Sequence, residues 1–509
     1  MNFKLLAAIL TMSSAAQADG QMTSPDAWKT HVVEDLLPFW SDPFATGTPS
    51  GSFAGNLCND GSAPVAGSAC TGVSDSRANN PEQTLVGQSR QVFSYAIAFH
   101  MTGQQVYLDL AKAGTDYQFE TFYDDDTGLF DEVHDVTTGA TRATGGGRDS
   151  QQQAYGLLGP SFLYYLTADA DLYDRIEPVE KAITDQFRLP ETGAYTGAYK
   201  FRVADDGPAD SIAKHLDQLN SYKTLLAAQA PNADRATLQE EARQTADYLK
   251  DAFFDPATGA MRPTLSTPSG SDRVDFGHSI KSFWFMDQTA QLVGDAELSR
   301  FAQDAAKALL KDSFQDDPGA WITDIRTDGK TNTRAHWWGF AELNQYAASL
   351  AIEDPELRDM LSRTQAYWFE KYVDPVDGGI WGVVDIDTGE PDKLYSKHWQ
   401  WKAGFHSYEH ALINYLSAGA IAGTDLDLFF ARSDLEKLDP AYGFKADVTD
   451  ITDISEPDAS VIRRGSLSNL TYAAPTPVPL PASSWLLVIG LATLAAAGTG
   501  RRARITGLS

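Results

Sequence analysis

The chain is poor in cysteine, histidine and basic residues, and each shortage argues against a class of function. It has two cysteines, nine histidines, and 40 lysine or arginine residues against 69 aspartate or glutamate residues in 509. The formal net charge of −29 argues against nucleic-acid binding, which needs a basic face. The cysteines lack the CxxC spacing and the clustered histidines of a zinc or redox site.

The two cysteines, Cys58 and Cys70, lie in a segment rich in glycine, serine and asparagine. In an oxidising compartment, two cysteines this close in sequence are typical of a disulfide that closes a loop. We therefore predict a Cys58–Cys70 disulfide that stabilises the fold by roughly 3 kcal/mol.

Both ends of the chain resemble targeting segments. Lys4 precedes the short apolar run 5–12 and a small-x-small cleavage site at 16–18, so residues 1–18 are predicted to be a secretory signal peptide. Residues 476–509 hold a Val-Pro-Leu-Pro-Ala run, a short apolar stretch at 485–498 and three arginines. This order resembles the sorting tails that bacterial exosortase systems recognise and cleave; a simple C-terminal membrane anchor is the alternative.

These segments predict where the protein works and what processes it. We expect export to the periplasm, the cell surface or the medium, with the tail making a transient membrane contact before cleavage. The expected processing partner is an exosortase-type enzyme that acts on residues 476–509.

A turn motif recurs about every sixty residues, as in repeat proteins. Each copy has an acidic or proline-bearing run, then a glycine, then an aromatic or apolar residue. Stretches with apolar residues at three- and four-residue spacing, typical of helices, precede most of these turns and lie between them. The glycines, which lie 65, 66, 60 and 60 residues apart, are Gly128, Gly193, Gly259, Gly319 and Gly379.

An earlier copy at residues 28–40 raises the count to six helix pairs. Six pairs can close into a ring in which every unit buries its apolar face against two neighbours. We therefore predict an all-α chain with an (α/α)6 barrel over residues 19–423, an Asp-rich irregular linker over 424–475 and the sorting tail. An open solenoid is the alternative, but it would need polar caps that the sequence does not show.

Several polar residues interrupt apolar helical stripes. Arg90 shares a stripe with Val86 and Phe93, so its charge needs either a ligand or a buried acidic partner. His278 follows Gly277 at the start of an apolar helix, where the helix N-terminus favours the neutral imidazole. Glu342 follows a Trp-Trp pair, Trp337 and Trp338, and would need a partner if it is buried.

The run 399–410 is the richest in functional side chains. His406, Glu409 and His410 share one helical face and match the HxxEH zinc-protease signature. That site needs a further acidic ligand well downstream on another helix, whereas an Asp-rich loop follows here. We therefore predict neither a metal nor another cofactor.

Together these runs resemble the N-acylglucosamine 2-epimerase family, which includes cellobiose 2-epimerases and aldose–ketose isomerases such as mannose isomerase. The likeness covers roughly residues 26–420, and the family fold is an (α/α)6 barrel, in agreement with the repeats. The matching runs are Arg90 to Tyr95, Gly277 to Ile280, Trp337 to Glu342, and Gly379 to Trp381 with Lys402 and Phe405-His406.

The resemblance implies an isomerase that acts on a mono- or oligosaccharide. In the family, two histidines flank C2 of an open-chain sugar and move its proton through an enediolate. Carried over, His278 and His406 are the acid/base pair and Arg90 stabilises the oxyanion, with Glu342 and Glu409 as further catalytic candidates. The expected substrate contacts are Trp284, Trp337, Trp338, Trp401, Phe405 and Asn220.

This chain departs from the family pattern at three places. Lys281 stands where a glutamate usually orients the first histidine, and Glu409 stands where an arginine is usual. A third family histidine has no secure match, although His215 and Asn220 lie nearby. One hypothesis is that Glu409 restores the carboxylate lost at Lys281.

Two other functions compete with the isomerase. A secreted glycoside hydrolase or polysaccharide lyase on the same toroid would fit export, but no spacing recommends a carboxylate pair. A non-catalytic glycan-binding protein would fit the departures from the family pattern.

Overall fold

The computed structural model describes residues 22–64, 70, 82–200, 203–204, 207–325, 331–435, 438–455 and 460–472. The predicted signal peptide and sorting tail lie outside these residues. Within the described part of the chain, no helix is both long enough and apolar enough to cross a membrane.

Twelve long helices of the described residues alternate between an outer wall, formed by the odd-numbered helices, and an inner wall, formed by the even-numbered ones. They are α1 (Pro25–Thr30, His31–Leu36 and Leu37–Trp40 in one run), α2 (Leu85–Thr102), α3 (Gln105–Phe122), α4 (Ser150–Gly156 and Leu158–Thr167), α5 (Ala170–Phe187), α6 (Ala213–Gln218, Leu219–Lys223 and Thr224–Gln229), α7 (Asn232–Phe253), α8 (Phe276–Val293), α9 (Ala296–Ser313), α10 (Trp337–Leu350), α11 (Leu357–Tyr367 and Trp368–Tyr372) and α12 (Phe405–Ala422).

The two walls differ in burial, as their sequence patterns require. Outer helices such as α9 bury one face only, with apolar residues at three- and four-residue spacing. Inner helices such as α8 and α12 are buried almost all round, because they pack against both the outer wall and the barrel interior. Each inner helix contacts the next, and α12 contacts α2, so the ring is closed as predicted.

The five repeated turns are short antiparallel hairpins that follow outer helices. Their strands are Tyr123–Asp124 with Leu129–Phe130, Arg188–Leu189 with Ala194–Tyr195, Phe254–Asp255 with Ala260–Met261, Phe314–Gln315 with Ala320–Trp321, and a single bridge between Val373 and Ile380. The predicted glycines all have positive φ, at 72°, 75°, 69°, 82° and 71° in chain order. Glycine recurs there because side chains disfavour this left-handed backbone.

Further short strands lie in the same long loops, which lead from each outer helix into the next inner helix. They form four small antiparallel sheets at the end of the barrel where the inner helices begin. The sheets are Glu82–Thr84, Val133–Asp135 and Ala140–Arg142; Arg148–Asp149, Ala198–Lys200 and Val203–Ala204; Val274–Asp275 and Asp324–Ile325; and Arg334–His336, Val383–Asp385 and Glu390–Pro391. Cys58 and Cys70, on the first of these long loops, form the predicted disulfide, with Cα atoms 5.3 Å apart.

The prediction of an irregular linker after the barrel is wrong. Leu426–Phe430, Phe444–Asp453 and Arg463–Tyr472 form a three-stranded antiparallel sheet, here called the C-terminal sheet. In the strand Phe444–Asp453, Phe444 is buried while Lys445 and Asp447 are exposed. The aspartates therefore occupy the outer face of the strand. Their high proportion concealed the alternation of inward and outward residues.

The C-terminal sheet covers the end of the barrel where the inner helices finish. The Phe430 ring packs edge-on against His100 near the end of α2, with centroids 4.7 Å apart. The Ala431 N–H donates to the Leu166 carbonyl near the end of α4. The C-terminal sheet therefore covers this end of the barrel.

Two of the repeated glycines provide a matched test of the turns. Gly193→Ala and Gly259→Ala both place a side chain at a left-handed backbone, which costs about 1–2 kcal/mol. At position 193 the new Cβ would also lie 2.6 Å from the Gln244 carbonyl carbon and oxygen, whereas nothing lies within 4 Å at position 259. We expect Gly193→Ala to lower the free energy of unfolding in urea by about 1–3 kcal/mol more than Gly259→Ala does. Equal losses would contradict the packing described for the outer wall.

Candidate active site

Each of the six inner helices contributes one polar side chain to a series of contacts near the long-loop end that runs from α2 to α12 and is here called the polar ring. On α2, the guanidinium carbon of Arg90 lies 4.1 Å from the centroid of the Tyr155 ring on α4. The Tyr155 hydroxyl donates to Asp217 Oδ1 on α6 at 3.1 Å. The first half of the ring thus joins a cation to a carboxylate through an aromatic side chain.

The second half of the ring is built around a buried lysine. Lys281 Nζ on α8 lies 3.7 Å from Asp217 Oδ1 and 3.4 Å from Glu342 Oε1 on α10. Glu342 Oε1 lies 2.9 Å from His406 Nδ1 on α12. All four side chains are at least 94% buried, so their charges and hydrogen bonds must compensate one another.

Arg90 has no ion-pair partner among the described residues, so the alternative of a buried Arg–Asp pair is not realised. Its Nη1 donates to the Trp401 carbonyl at 2.5 Å, and its plane is held between Tyr155 and Phe405. Its buried Nε has no hydrogen-bond partner within the described part of the chain. The guanidinium is therefore fixed in place with a donor to spare for a ligand.

His278 occupies the more accessible side of the site, with 29% of its side chain exposed. Its Nδ1 lies 2.6 Å from Asp275 Oδ2, and Asp275 Oδ1 also accepts the His278 backbone N–H as the cap of α8. One carboxylate therefore starts the helix and orients the imidazole.

The two histidines meet at one tryptophan. The Trp338 ring centroid lies 4.7 Å from that of His278 and 6.1 Å from that of His406. Each Nδ1 faces a carboxylate, Asp275 or Glu342, which leaves each Nε2 for a ligand. The structure thus places both histidines, which the resemblance predicts to be the acid/base pair, against the same tryptophan.

The surroundings shift the two histidine pKa values in opposite directions. Burial lowers the pKa of His278, but the charge and hydrogen bond of Asp275 outweigh it, so the net shift is upward. Burial, followed by the positive charges of Lys281 and Arg90, holds the pKa of His406 well below its usual range. A pair of titratable groups separated in this way is typical of an acid and a base.

Glu409 does not take over the function that the sequence hypothesis gave it. Its Oε2 accepts from Gln345 Nε2 at 3.0 Å, and Gln345 also approaches Glu342. Burial, together with the negative charge of Glu342, raises the pKa of Glu409 to about 8. The carboxylate beside His278 is Asp275 instead. Glu409 is linked to Glu342 through the Gln345 side chain.

Four of the six predicted substrate contacts border this site. The Trp337 ring lies 6.1 Å from that of His406, and the Phe405 ring lies 4.4 Å from it. Trp338 and Trp401 are half-buried and reach the cleft. Lys402 lies over Trp337, and burial keeps the pKa of this lysine well below its usual range.

The structure does not place Trp284 and Asn220 with the other predicted substrate contacts. Trp284 is fully buried in the middle of α8, where it stacks on Tyr442 with centroids 5.5 Å apart. Asn220 lines a cavity beneath the C-terminal sheet. Each lies about one turn further along its helix than the residue that enters the ring of contacts, Lys281 or Asp217.

Sequence reasoning missed Asp217, Asp275 and Tyr155. His215 had been considered for the earlier inner helix, but it is buried in a structural role, accepting the Tyr195 N–H and facing the Ala209 carbonyl. Asp217 enters the site two residues later. Asp275 could have been predicted from the sequence, because an aspartate just before the start of a helix is a favourable N-cap.

Glu342, His406 and Glu409 could in principle hold a metal, since one donor atom of each lies within 4.8 Å of the others. Lys281 already places a cation 3.4 Å from Glu342 Oε1. His410, the other histidine of the HxxEH run, is packed between Trp28 and Trp368 and cannot complete the set. The donor set therefore fits an ion pair with lysine better than the zinc-protease site.

Known proteins can be compared with this geometry. No protein-family model matches the chain. Cellobiose 2-epimerase from Eubacterium cellulosolvens is 22% identical over 413 residues, which cover 74% of this chain and 94% of the relative. The cellobiose 2-epimerase structure from Bacillus thermoamylovorans has a TM-score of 0.65 at 17% identity, covering 77% of this chain and 98% of that one. D-mannose isomerase has a TM-score of 0.64 at 15% identity, covering 79% and 99%.

The resemblance to the N-acylglucosamine 2-epimerase family is confirmed. These relatives are matched over nearly their whole lengths by about three-quarters of this chain. The (α/α)6 barrel predicted from the repeats is the fold they share with it.

Lys281→Met tests the ring of contacts. Without the ammonium, Asp217 and Glu342 are buried without a cation, so we expect the free energy of unfolding to fall by about 3–5 kcal/mol at neutral pH. The loss should shrink as the pH falls, because the folded carboxyl groups then have raised pKa values and take up protons more readily than in the unfolded chain. Urea unfolding measured across a pH series checks both expectations.

Lys223→Met is the matched control. Lys223 is equally buried, 2.9 Å from Glu180 and 2.6 Å from Glu241, away from the cleft. Lys223→Met should cause a similar loss in the free energy of unfolding without changing the pKa of His406. A Lys281→Met variant as stable as the unaltered chain would contradict the ring described above.

Proposed function

We propose that the protein is a sugar 2-epimerase or aldose–ketose isomerase that moves the C2 proton of an open-chain sugar. The observation that carries the proposal is the pair of histidine–carboxylate contacts, His278 with Asp275 and His406 with Glu342, whose imidazoles meet at Trp338. Their opposite pKa shifts provide one proton acceptor and one proton donor in the same cleft.

In this proposal His406 is the base. Its lowered pKa keeps the imidazole neutral, and Glu342 holds Nδ1 so that Nε2 can accept the C2 proton. The electron pair of the broken C–H bond moves to the carbonyl, which produces an enediolate. The unpaired donor of Arg90 and the ammonium of Lys281 can stabilise that negative charge.

His278 completes the reaction as the acid. Its raised pKa favours the protonated ring, which can return a proton to the enediolate. Return to the opposite face of C2 gives the epimer, whereas return to C1 gives the ketose. Asp275 keeps the ring in place through the cycle.

The names of the relatives support the substrate class. They describe enzymes that act on cellobiose and on D-mannose, both of which are uncharged reducing sugars. Trp338 and Trp401, half-buried at the cleft, offer aromatic faces of the kind that stack on sugar rings. We propose a neutral mono- or oligosaccharide as substrate.

Export is a separate part of the proposal. It rests on the residues that predict a signal peptide at 1–18 and an exosortase-type sorting tail at 476–509. Comparing the mass of the protein recovered from the cell envelope or medium with that of the full chain tests both segments.

A single labelling experiment separates the three candidate functions. The full chain is incubated with cellobiose, glucose or mannose in D2O, and the products are examined by NMR and mass spectrometry. Deuterium at C2 or C1 of the sugar is the expected result, because the proposed base exchanges its proton with solvent. New reducing ends would indicate a hydrolase. Sugar that is neither labelled nor cleaved would refute both enzymes and favour a glycan-binding protein.

Replacing the histidines tests the assigned roles. We expect His406→Gln and His278→Gln each to lower the rate of deuterium incorporation by about 10²–10⁴-fold. His134→Gln is the matched control, since His134 is half-buried on the strand Val133–Asp135, outside the polar ring, and its replacement should leave the rate unchanged. A rate unaffected by His406→Gln would refute its role as the base.

A further inference from the structure

A second cavity lies beneath the C-terminal sheet, at the end of the barrel opposite the cleft. Its volume is about 640 Å³, within the usual range for small-molecule sites. Its walls come from the inner helices α2, α4, α6 and α8, from the outer helices α7 and α9 with the turn between α8 and α9, and from residues 432, 434 and 438–445. None of the residues in the polar ring lines it.

Aromatic packing separates this cavity from the cleft. The Phe93 ring lines the cavity and lies 5.1 Å from that of Phe405, which in turn packs beneath Arg90 and Lys281 at the cleft. The two rings therefore lie between the cavity and the charged groups of the cleft, and the Tyr442 side chain of the cavity lining hydrogen-bonds Glu409.

Buried polar atoms in this cavity lack partners within the described part of the chain. Both amide atoms of Asn220, the hydroxyl of Ser221 and the Nε2 of Gln288 make no hydrogen bond there. These residues are 6%, 1% and 6% exposed, respectively. Buried amides and hydroxyls are normally paired, so three unpaired ones at one cavity indicate that something outside the chain pairs with them.

The same helix faces carry the cleft and the cavity. Asn220 follows Asp217 by one turn of α6, and Gln288 follows Lys281 by two turns of α8. On each of these two faces a charged residue lies at the cleft and a neutral amide lies at the cavity. The cleft therefore favours a ligand that develops charge, and the cavity favours a neutral ligand that forms hydrogen bonds.

A fixed aromatic face completes the cavity. Tyr442 lines it and is stacked on Trp284 with centroids 5.5 Å apart and an interplanar angle of 19°. Its backbone has a φ of 65°, which is uncommon for a residue other than glycine. Residues held in such backbone conformations cluster at ligand sites.

We propose that this cavity is a second binding site, specific for a neutral polyhydroxylated ligand such as a mono- or disaccharide. Amide and hydroxyl groups both donate and accept hydrogen bonds, as sugar hydroxyls do, and an aromatic face can cover the apolar side of a sugar ring. The charged lining residues balance in sign and are all half-buried or exposed: Arg235, Arg432 and Lys445 against Asp295, Asp434 and Asp439. The site does not depend on the proposed isomerase activity.

The test uses methyl α-D-glucopyranoside as a probe, because a methyl glycoside cannot open its ring and so cannot be turned over by the proposed reaction. Crystals of the full chain soaked in the probe should show it against Asn220 and Gln288. Calorimetric titration should give saturable binding in the millimolar range. A cavity that holds only ordered water, together with no saturable heat, would overturn the proposal.

Variants assign the binding to the cavity. Asn220→Leu keeps the side-chain size but removes both amide atoms, and should weaken probe binding at least about tenfold. Asn232→Leu, an exposed position on α7, is the matched control and should bind normally. Trp338→Ala, which alters the cleft, should also bind normally; loss of binding in Trp338→Ala alone would place the probe in the cleft and refute the second site.

If Asn220→Leu does not fold, the test rests on the unaltered protein. The position of the probe in the soaked crystal and the saturable heat of the titration then decide the proposal. Because the deuterium experiment measures turnover and the methyl glycoside measures binding, the two proposals can fail separately.

Discussion

The buried ammonium of Lys281 is the interaction on which the site depends. It lies between the carboxylates of Asp217 and Glu342, which come from the two inner helices on either side of α8. Three charges removed from water at the centre of a barrel are tolerated only where they compensate one another. The closed ring of helices makes this possible, since it brings the first turns of six inner helices to one place.

The same ammonium contributes to the pKa of the nearby histidine, His406. Its charge adds to burial in lowering the pKa of His406, while Asp275 raises the pKa of His278. One framework therefore produces two imidazoles of opposite character around Trp338. The carboxylate that the family pattern leads one to expect at position 281 is replaced by a carboxylate at the helix cap and a cation in the helix.

The fold could be predicted from the sequence because it repeats. Glycine at a left-handed turn recurred five times at nearly constant spacing, and outer helices such as α9 showed clear helical periodicity. Two features were hidden. The C-terminal sheet alternates apolar residues with aspartates, which resembles a polar linker when only composition is considered. Its strands pack on the barrel end, and no local sequence pattern shows that contact.

The site was predictable where a residue type was unusual for its position, and not elsewhere. Arg90, His278, Glu342 and His406 disturbed apolar stripes, and the structure brings all four together. Asp217 was missed because its partners, Tyr155 and Lys281, come from other helices far away in sequence. Trp284 was misplaced because aromatic residues occur in cores as often as in clefts, and only its position along α8 separates the two.

The central claim is that the site shifts the pKa values of its two histidines in opposite directions. The most direct measurement is a pH titration of the chain by NMR with ¹⁵N-labelled histidine, assigned with His278→Gln and His406→Gln. The account predicts that His278 takes up its proton above the ordinary value of 6.5, while His406 stays neutral until well below it. Two histidines titrating together near 6.5, or His406 titrating above His278, would contradict the account.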